Sequence, residues 1–128
     1  MIRIAFDLDG TINSSKESTE FFSVLSRLLI AEHRIYIITD REPNSEQEIA
    51  EELDYLGIEY NQIIITHKKA KYIREHGITI FFENSDEYFL ELGQETVVFK
   101  IREEGNFDFG EKEKKWIGSK KTTKMIDE

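Results

Sequence analysis

Apolar and polar positions along this chain form a repeating pattern of short apolar runs separated by amphipathic stretches. The apolar runs have the length of strands, and the middle ones are rich in Ile and Phe, as in strands covered on both faces. This alternation predicts an α/β fold of three layers around a mostly parallel, five-stranded sheet. The predicted strands are residues 2–6, 34–39, 62–66, 78–82 and 96–100.

The amphipathic stretches predict four helices, at residues 19–32, 45–56, 68–76 and 87–92. The second helix opens with Ser45 and has Glu48 three residues later, which is the pattern of a capping box. Gly57, Gly77 and Gly93 follow the last three stretches, where glycine can end a helix in the left-handed conformation. In sheets of this kind ligands bind beyond the carboxyl ends of the strands, so the residues that follow each strand are the candidates for chemistry.

The composition fits one domain that needs no disulfides. A chain of 128 residues, 39% of them hydrophobic, can bury a single core and leaves no room for a second domain. No apolar run approaches the roughly 20 residues of a membrane span, and the first residues have the pattern of a strand rather than of a secretory leader. Because the chain also has no cysteine, we expect a cytoplasmic location.

The net charge of −9 disfavours a protein that grips nucleic acid through its phosphates. The acidic excess lies in the first 100 residues, because the rest of the chain carries equal numbers of basic and acidic side chains. We expect residues 1–110 to form the core and residues 111–128 a basic C-terminal tail. The tail, with Trp116 inside it, could contact an acidic or phosphorylated partner or could be a frayed, solvated terminus.

Two carboxylates follow the first predicted strand. Asp7 and Asp9 are two residues apart, so they leave an extended chain on the same side. Like charges this close require a cation or a shared proton, so we expect bound Mg²⁺, a carboxyl group with a raised pKa, or both. Gly10 permits a sharp turn and the hydroxyl of Thr11 can hold it, although a solvated turn is the alternative for this segment taken alone.

Candidate residues also follow the later strands. Thr39 ends the second strand and Arg41 lies just beyond it; a strand-end threonine and a surface ion pair are their ordinary structural roles. The fourth strand is followed by Glu83 and Asn84, whose side chains offer oxygen donors for Mg²⁺. The third strand is followed by three lysines that could neutralise an anionic site, Lys68, Lys69 and Lys71.

The motif Asp7-Leu8-Asp9-Gly10-Thr11, with these strand-end residues after it in order, resembles the signature of the haloacid dehalogenase-like phosphohydrolases. The resemblance implies a Rossmann-like domain that hydrolyses phosphate monoesters through an aspartyl-phosphate. It implies that Asp7 is the nucleophile and Asp9 the general acid and base. It further implies Mg²⁺ bound by Asp7, by the carbonyl of Asp9 and by Glu83.

The resemblance also implies roles for the remaining candidates. A threonine at the position of Thr39 binds the phosphoryl group in this family, and a lysine on the following helix neutralises it. The spacing to Glu83 favours Lys69, with Lys68 as the first alternative and Lys71 as the second. Arg41 resembles the arginine of a Thr-x-Arg branch that reaches the substrate, and we expect Thr11 to contact the substrate as well.

One motif departs from the family. Two aspartates are usual where this chain has Glu83 and Asn84, and a neutral amide lowers the expected affinity for Mg²⁺ unless Asp86 contributes through water. Ser85 and Asp86 have an alternative role as the cap and first turn of the next helix.

The segments between successive motifs are long enough for one helix each but not for a cap domain. The resemblance therefore implies an active site that is open to solvent. A nucleotidase or a general phosphatase is the first expectation, with residues 13–18 closing over a small nucleotide. A polynucleotide end phosphatase comes second, because the net charge is negative. A homo-oligomer in which a neighbouring subunit covers the site is a further expectation.

Two hypotheses without catalysis are alternatives to a phosphatase. Receiver domains combine an acidic cluster, a Thr and a Lys with Mg²⁺, but they carry the phosphorylated Asp on the third strand, where this chain has Thr66. A catalytically weakened member that binds phosphate is the stronger alternative, because of Glu83 and Asn84.

Overall fold

The computed structural model describes residues 1–110 and 114–118. Its main strands are β1 (Arg3–Phe6), β2 (Arg34–Thr39), β3 (Gln62–Ile65), β4 (Ile80–Glu83) and β5 (Val97–Lys100). They form one sheet in the order β3-β2-β1-β4-β5, and every neighbouring pair is parallel. The carboxyl ends of β1, β2 and β4 therefore meet at one edge of the sheet, with β1 in the centre.

Three α-helices cover the two faces of the sheet, α1 (Lys16–Leu29), α2 (Glu46–Leu56) and α3 (Lys69–Glu75). Phe22 of α1 and Leu53 of α2 lie in the core on one face, and Ile73 of α3 lies in the core on the other. The predicted α/β fold of three layers is confirmed. Between β1 and β3 the chain has only α1, α2, β2 and short turns, so the described residues contain no cap domain.

The first helix begins at Lys16, before the predicted start at residue 19. Ser15 caps it, because its Oγ accepts a hydrogen bond of 3.0 Å from the backbone N–H of Ser18. The first turn of this helix is polar and adds no apolar position, so the periodicity does not reveal it.

The prediction of a helix at residues 87–92 is wrong. The structure has a 3₁₀ turn at Asp86–Tyr88, followed by further turns, so Gly93 ends no helix and Ser85 makes no side-chain cap. So short a stretch has little helical stability of its own. Its side chains are held one by one instead: the hydroxyl of Tyr88 donates to Asp40 at 2.8 Å, and Phe89 packs edge-on against Phe81.

The capping box at Ser45 does not form either. The hydroxyl of Ser45 donates to the carbonyl of Glu42 at 2.6 Å, so it closes the preceding turn rather than capping α2. The predicted ends of α2 and α3 are confirmed, because Gly57 and Gly77 have φ of 74° and 64°.

After β5 the chain forms a short antiparallel hairpin of β6 (Phe107–Asp108) and β7 (Lys115–Trp116). Asn106 is buried and ties this hairpin to the sheet, because its Nδ2 donates to the carbonyl of Asn84 at 2.9 Å. The hairpin includes part of the predicted basic tail at 111–128, of which residues 111–113 and 119–128 lie outside the described residues. None of the described helices is both long and apolar enough to cross a membrane.

Candidate active site

The carboxyl ends of the central strands bring three charged side chains together in the interior. Asp7 follows β1, Glu83 ends β4, and Lys69 is the first residue of α3. The Nζ of Lys69 lies 2.7 Å from Oδ1 of Asp7 and 2.6 Å from Oε1 of Glu83. No more than 5% of any of these three side chains is exposed. Residues predicted from three separate strand ends thus form one buried cluster.

Lys69 is the lysine that the structure brings to this cluster. Lys68 is exposed, and Lys71 is exposed with its Nζ 3.9 Å from Glu75 on the same helix. The ring of Tyr88 lies 4.3 Å from Nζ of Lys69 and closes the remaining side of the ammonium group. The start of α3 thus points only one of the three candidate lysines inward.

The chain reverses direction immediately after Asp7. Leu8–Ile12 form a tight turn, within which Gly10 has φ of 81°, in the left-handed region that favours glycine. The turn returns Thr11 to Asp7, where its Oγ1 donates to Oδ2 at 3.0 Å. Asn84 packs so closely that a Cβ at position 10 would lie 2.3 Å from its amide. The backbone conformation therefore favours glycine, and any larger residue would also have to displace the amide of Asn84.

Two buried carboxylates share one ammonium group, and the pKa values of all three groups are shifted. Burial, opposed by Lys69 and assisted by the charge of Asp7, raises the pKa of Glu83 to about 8. Burial also raises the pKa of Asp7, although Lys69 again opposes it. Burial lowers the pKa of Lys69, but the two carboxylates outweigh burial and leave that pKa raised. The cluster is therefore neutral when one carboxyl group holds a proton.

The amide of Asn84 marks a point where three protein oxygens converge. One atom of the amide lies 2.8 Å from Oδ2 of Asp7, 2.8 Å from Oε2 of Glu83 and 3.1 Å from the carbonyl oxygen of Asp9. With its nitrogen at this point the amide donates to all three, and hydrogen bonding within the protein favours this orientation. With its oxygen there, the amide completes a set of four oxygens and its nitrogen lies 3.3 Å from Oε1 of Glu103.

Carboxylate, carbonyl and amide oxygens are donors that Mg²⁺ prefers, so the chemistry of these four groups fits this ion. Only two of the four donors are carboxylates. The part of the chain that the structure describes has no group of three or more His, Cys, Asp or Glu side chains placed to hold a metal. Asp86, the residue that could compensate through water for the neutral amide, pairs with Lys100.

The side chain of Asp9 points away from the cluster. Its carboxylate accepts hydrogen bonds from Nε and Nη2 of Arg41 at 2.9 and 2.8 Å, and a third from Asn13 at 3.0 Å. The hydrogen bonds from Arg41, against the opposing effect of burial, hold the pKa of Asp9 below its usual value. Arg41 also contacts Glu52 at 2.9 Å. The predicted general acid and the predicted substrate ligand are thus paired with each other.

Thr39 is buried at the end of β2, the strand next to β1. Its Oγ1 accepts a hydrogen bond of 3.4 Å from the backbone N–H of Arg41, and its carbonyl accepts one of 2.8 Å from Thr66. Thr39 therefore lies at the same edge of the sheet as Asp7, at the start of the loop that carries Arg41.

Sequence reasoning misses two residues beside the cluster. Tyr88 covers Lys69 while its hydroxyl donates to Asp40, and Glu103 approaches the amide of Asn84. The tyrosine lies in a segment predicted as an ordinary helix, and the glutamate belongs to none of the strand-end motifs. A buried lysine predicts that some side chain shields its ammonium group from solvent, but the sequence does not show which ring does so.

Comparison with protein families adds an independent observation. The model of the haloacid dehalogenase-like hydrolase family matches residues 4–126. Searches of curated proteins and of solved structures find no match to this chain. The family match spans nearly the whole sequence and includes Asp7, Lys69 and Glu83. The chain therefore belongs to the haloacid dehalogenase-like hydrolases.

Proposed function

We propose that this protein is a Mg²⁺-dependent phosphate monoester hydrolase that acts through an aspartyl-phosphate on Asp7. The observation that carries the proposal is the buried contact of 2.7 Å between Asp7 and Lys69 at the mouth of the central strand. An isolated carboxylate at this depth would be protonated and would not be nucleophilic. Lys69 opposes the effect of burial on the pKa of Asp7 and so favours its anionic form, and the family match supports a hydrolase.

The roles of the residues follow from their positions. Asp7 attacks phosphorus, so that a bond forms between phosphorus and its carboxylate oxygen while the ester bond breaks. Lys69 offsets the charge of both the nucleophile and the phosphoryl oxygens, and the hydroxyl of Thr39 is expected to donate to the phosphoryl group. Thr11 holds the carboxylate of Asp7 in one orientation through its bond of 3.0 Å.

Asp9 is the expected general acid and base. It gives a proton to the leaving oxygen and then takes one from the water that releases phosphate. For the first step its carboxyl group must be protonated, and Arg41 opposes this because the ion pair lowers the pKa of Asp9. A phosphate ester attracts guanidinium strongly, so we expect a bound substrate to draw Arg41 away from Asp9.

Asp7, Glu83, the carbonyl of Asp9 and Asn84 would hold Mg²⁺. When bound, the ion supplies positive charge that offsets the repulsion between an anionic nucleophile and an anionic phosphoryl group. Asn84 joins this set with its amide oxygen, and Glu103 is placed to accept a hydrogen bond from the amide nitrogen.

A second candidate is a weakened member of the family that binds phosphate with little turnover. The ion pair between Asp9 and Arg41 favours it, because two hydrogen bonds keep the expected acid ionised. The two candidates differ only in whether the substrate releases Asp9.

Phosphate release from p-nitrophenyl phosphate, from a nucleotide panel and from an oligonucleotide with a terminal phosphate tests the proposal. We expect release by the wild-type protein with Mg²⁺ and none without it. Asp7→Asn is expected to abolish release while its circular dichroism spectrum stays that of the wild type. Wild-type turnover by Asp7→Asn would show that Asp7 is not the nucleophile, and phosphate binding without release would favour the second candidate.

A further inference from the structure

A cleft of about 820 Å³ lies between the β6–β7 hairpin and the beginning of α1. One wall holds Ser14, Ser15 and Ser18, which follow the turn that carries Asp9. Arg102 and Glu103, which follow β5, also line the cleft. Glu103 also approaches the amide of Asn84, and that amide contacts Asp7. The amide of Asn84 thus connects Glu103, a residue of this cleft, to Asp7 of the proposed catalytic cluster.

The hairpin gives this cleft an aromatic wall. Phe107 and Phe109 pack edge-to-face with ring centroids 4.9 Å apart, and the guanidinium of Arg102 lies 4.7 and 5.0 Å from the two centroids. Phe107 is buried, whereas 47% of Phe109 is exposed. Aromatic rings and a planar guanidinium form a surface on which another planar ring can stack.

The polar groups of the cleft limit the charge of its occupant. Among the described residues that line it, Glu103, Glu104 and Asp108 are acidic and Arg102 is basic. The carboxylates repel a second anionic group and accept hydrogen bonds from hydroxyl or amino groups. The hydroxyl of Ser14 already donates to the carbonyl of Thr11, which fixes this wall in place.

We infer that the cleft binds the leaving group of the substrate, and that this group is an uncharged, hydroxyl-bearing moiety with a planar ring, as in a nucleoside. The inference rests on the proposed function, because it assigns the phosphate end of the same molecule to Asp7 and Lys69. The ring stacks on Phe109, and the sugar hydroxyls bond to the carboxylates. Nucleoside monophosphates therefore suit the site better than triphosphates, whose additional phosphates would face Glu103 and Glu104.

Binding of adenosine, which has no phosphate, tests the cleft separately from catalysis. Trp116 is the single tryptophan of the chain and packs 5.2 Å from Phe107, so its fluorescence should change when a ligand enters. Titration calorimetry gives the affinity. We expect Phe109→Ala to weaken adenosine binding about tenfold. Tyr55→Ala removes an exposed ring on α2, none of whose residues lines the cleft, and should leave the affinity unchanged.

Hydrolysis provides the second arm of the experiment. The ratio of kcat/KM for adenosine monophosphate to that for glycerol phosphate should fall about tenfold in Phe109→Ala and stay at the wild-type value in Tyr55→Ala. If the protein hydrolyses esters but does not bind adenosine, the inference about the cleft is wrong and the proposed function is unaffected. Equal effects of the two substitutions would also overturn it. Adenosine binding in a protein that hydrolyses no ester would remove the proposed function on which the inference depends.

Discussion

Among single residues, Asn84 contacts both buried carboxylates through one amide. Its amide lies within hydrogen-bonding distance of Asp7 and Glu83 and, at 3.1 Å, of the carbonyl of Asp9. A neutral amide can offer either a donor or an acceptor at the same point, whereas the aspartate usual in the family offers only oxygen. An amide in this place therefore leaves less negative charge around the expected cation than an aspartate would.

Asn84→Asp should raise the affinity for Mg²⁺ by about tenfold or more, because a third carboxylate joins the donor set. Titration calorimetry with Mg²⁺ and no substrate measures this directly. Gln94→Glu makes the same chemical change at an exposed position and serves as the control. An unchanged affinity in Asn84→Asp would mean that this side chain does not face the ion.

Lys69→Met should destabilise the protein by about 3–5 kcal/mol, because two buried carboxylates lose their shared partner. Urea unfolding of the metal-free protein measures the loss. Lys68→Met removes the same charge from the exposed neighbouring residue and should change the free energy of unfolding by about 0.5 kcal/mol or less. Similar losses in both variants would contradict the buried cluster.

At the scale of elements, the turn after β1 positions both Asp7 and Asn84. Gly10 in this turn and Gly77 after α3 both have positive φ, so comparing them separates the effect of backbone strain from the effect of a close packing contact. At Gly77, where φ is 64°, a methyl group in place of the hydrogen would have nothing within 4 Å, whereas at Gly10 the same methyl group would lie 2.3 Å from Asn84.

Gly77→Ala should therefore cost about 1–2 kcal/mol, the strain of an alanine in the left-handed conformation. Gly10→Ala should cost more and should also weaken Mg²⁺ binding, because it displaces the amide of Asn84. Denaturant unfolding and a Mg²⁺ titration on both variants check this. Equal destabilisation with unchanged Mg²⁺ affinity would show that the turn does not support the site.

The sequence predicts those elements that have a periodic pattern of their own, and it does not predict those that depend on tertiary contacts. The strands follow from dense apolar runs, and the cluster of Asp7, Lys69 and Glu83 follows from parallel strands ending at one edge. The start of α1 and the 3₁₀ turn at Asp86–Tyr88 depend on a polar first turn and on single tertiary contacts, which leave no periodic signal. The pairing of Asp9 with Arg41 joins two separate loops, so local pattern could not show it.

At the scale of the whole molecule, the buried cluster links stability to pH. The pKa of Glu83 is near 4.5 in an ordinary environment and about 8 in the fold. Between these values the folded state binds more protons than the unfolded state, so stability falls as pH rises. The raised pKa of Asp7 acts in the same direction.

The melting temperature of the metal-free protein should therefore fall by on the order of 5 °C or more between about pH 5 and pH 8. Glu83→Gln keeps the shape of the protonated group and should remove most of this fall. Thermal unfolding followed by circular dichroism measures both proteins. A flat profile in the wild type, or an equal slope in Glu83→Gln, would contradict a proton shared within the cluster.

The central claim is that Asp7 becomes phosphorylated, and chemical trapping tests it most directly. Borohydride added during turnover of p-nitrophenyl phosphate with Mg²⁺ reduces an aspartyl-phosphate to homoserine, and mass spectrometry of the digested protein locates the change. We predict homoserine at position 7, dependent on both substrate and Mg²⁺. Phosphate release with position 7 recovered as unmodified aspartate, or with the reduction at another residue, would contradict the account.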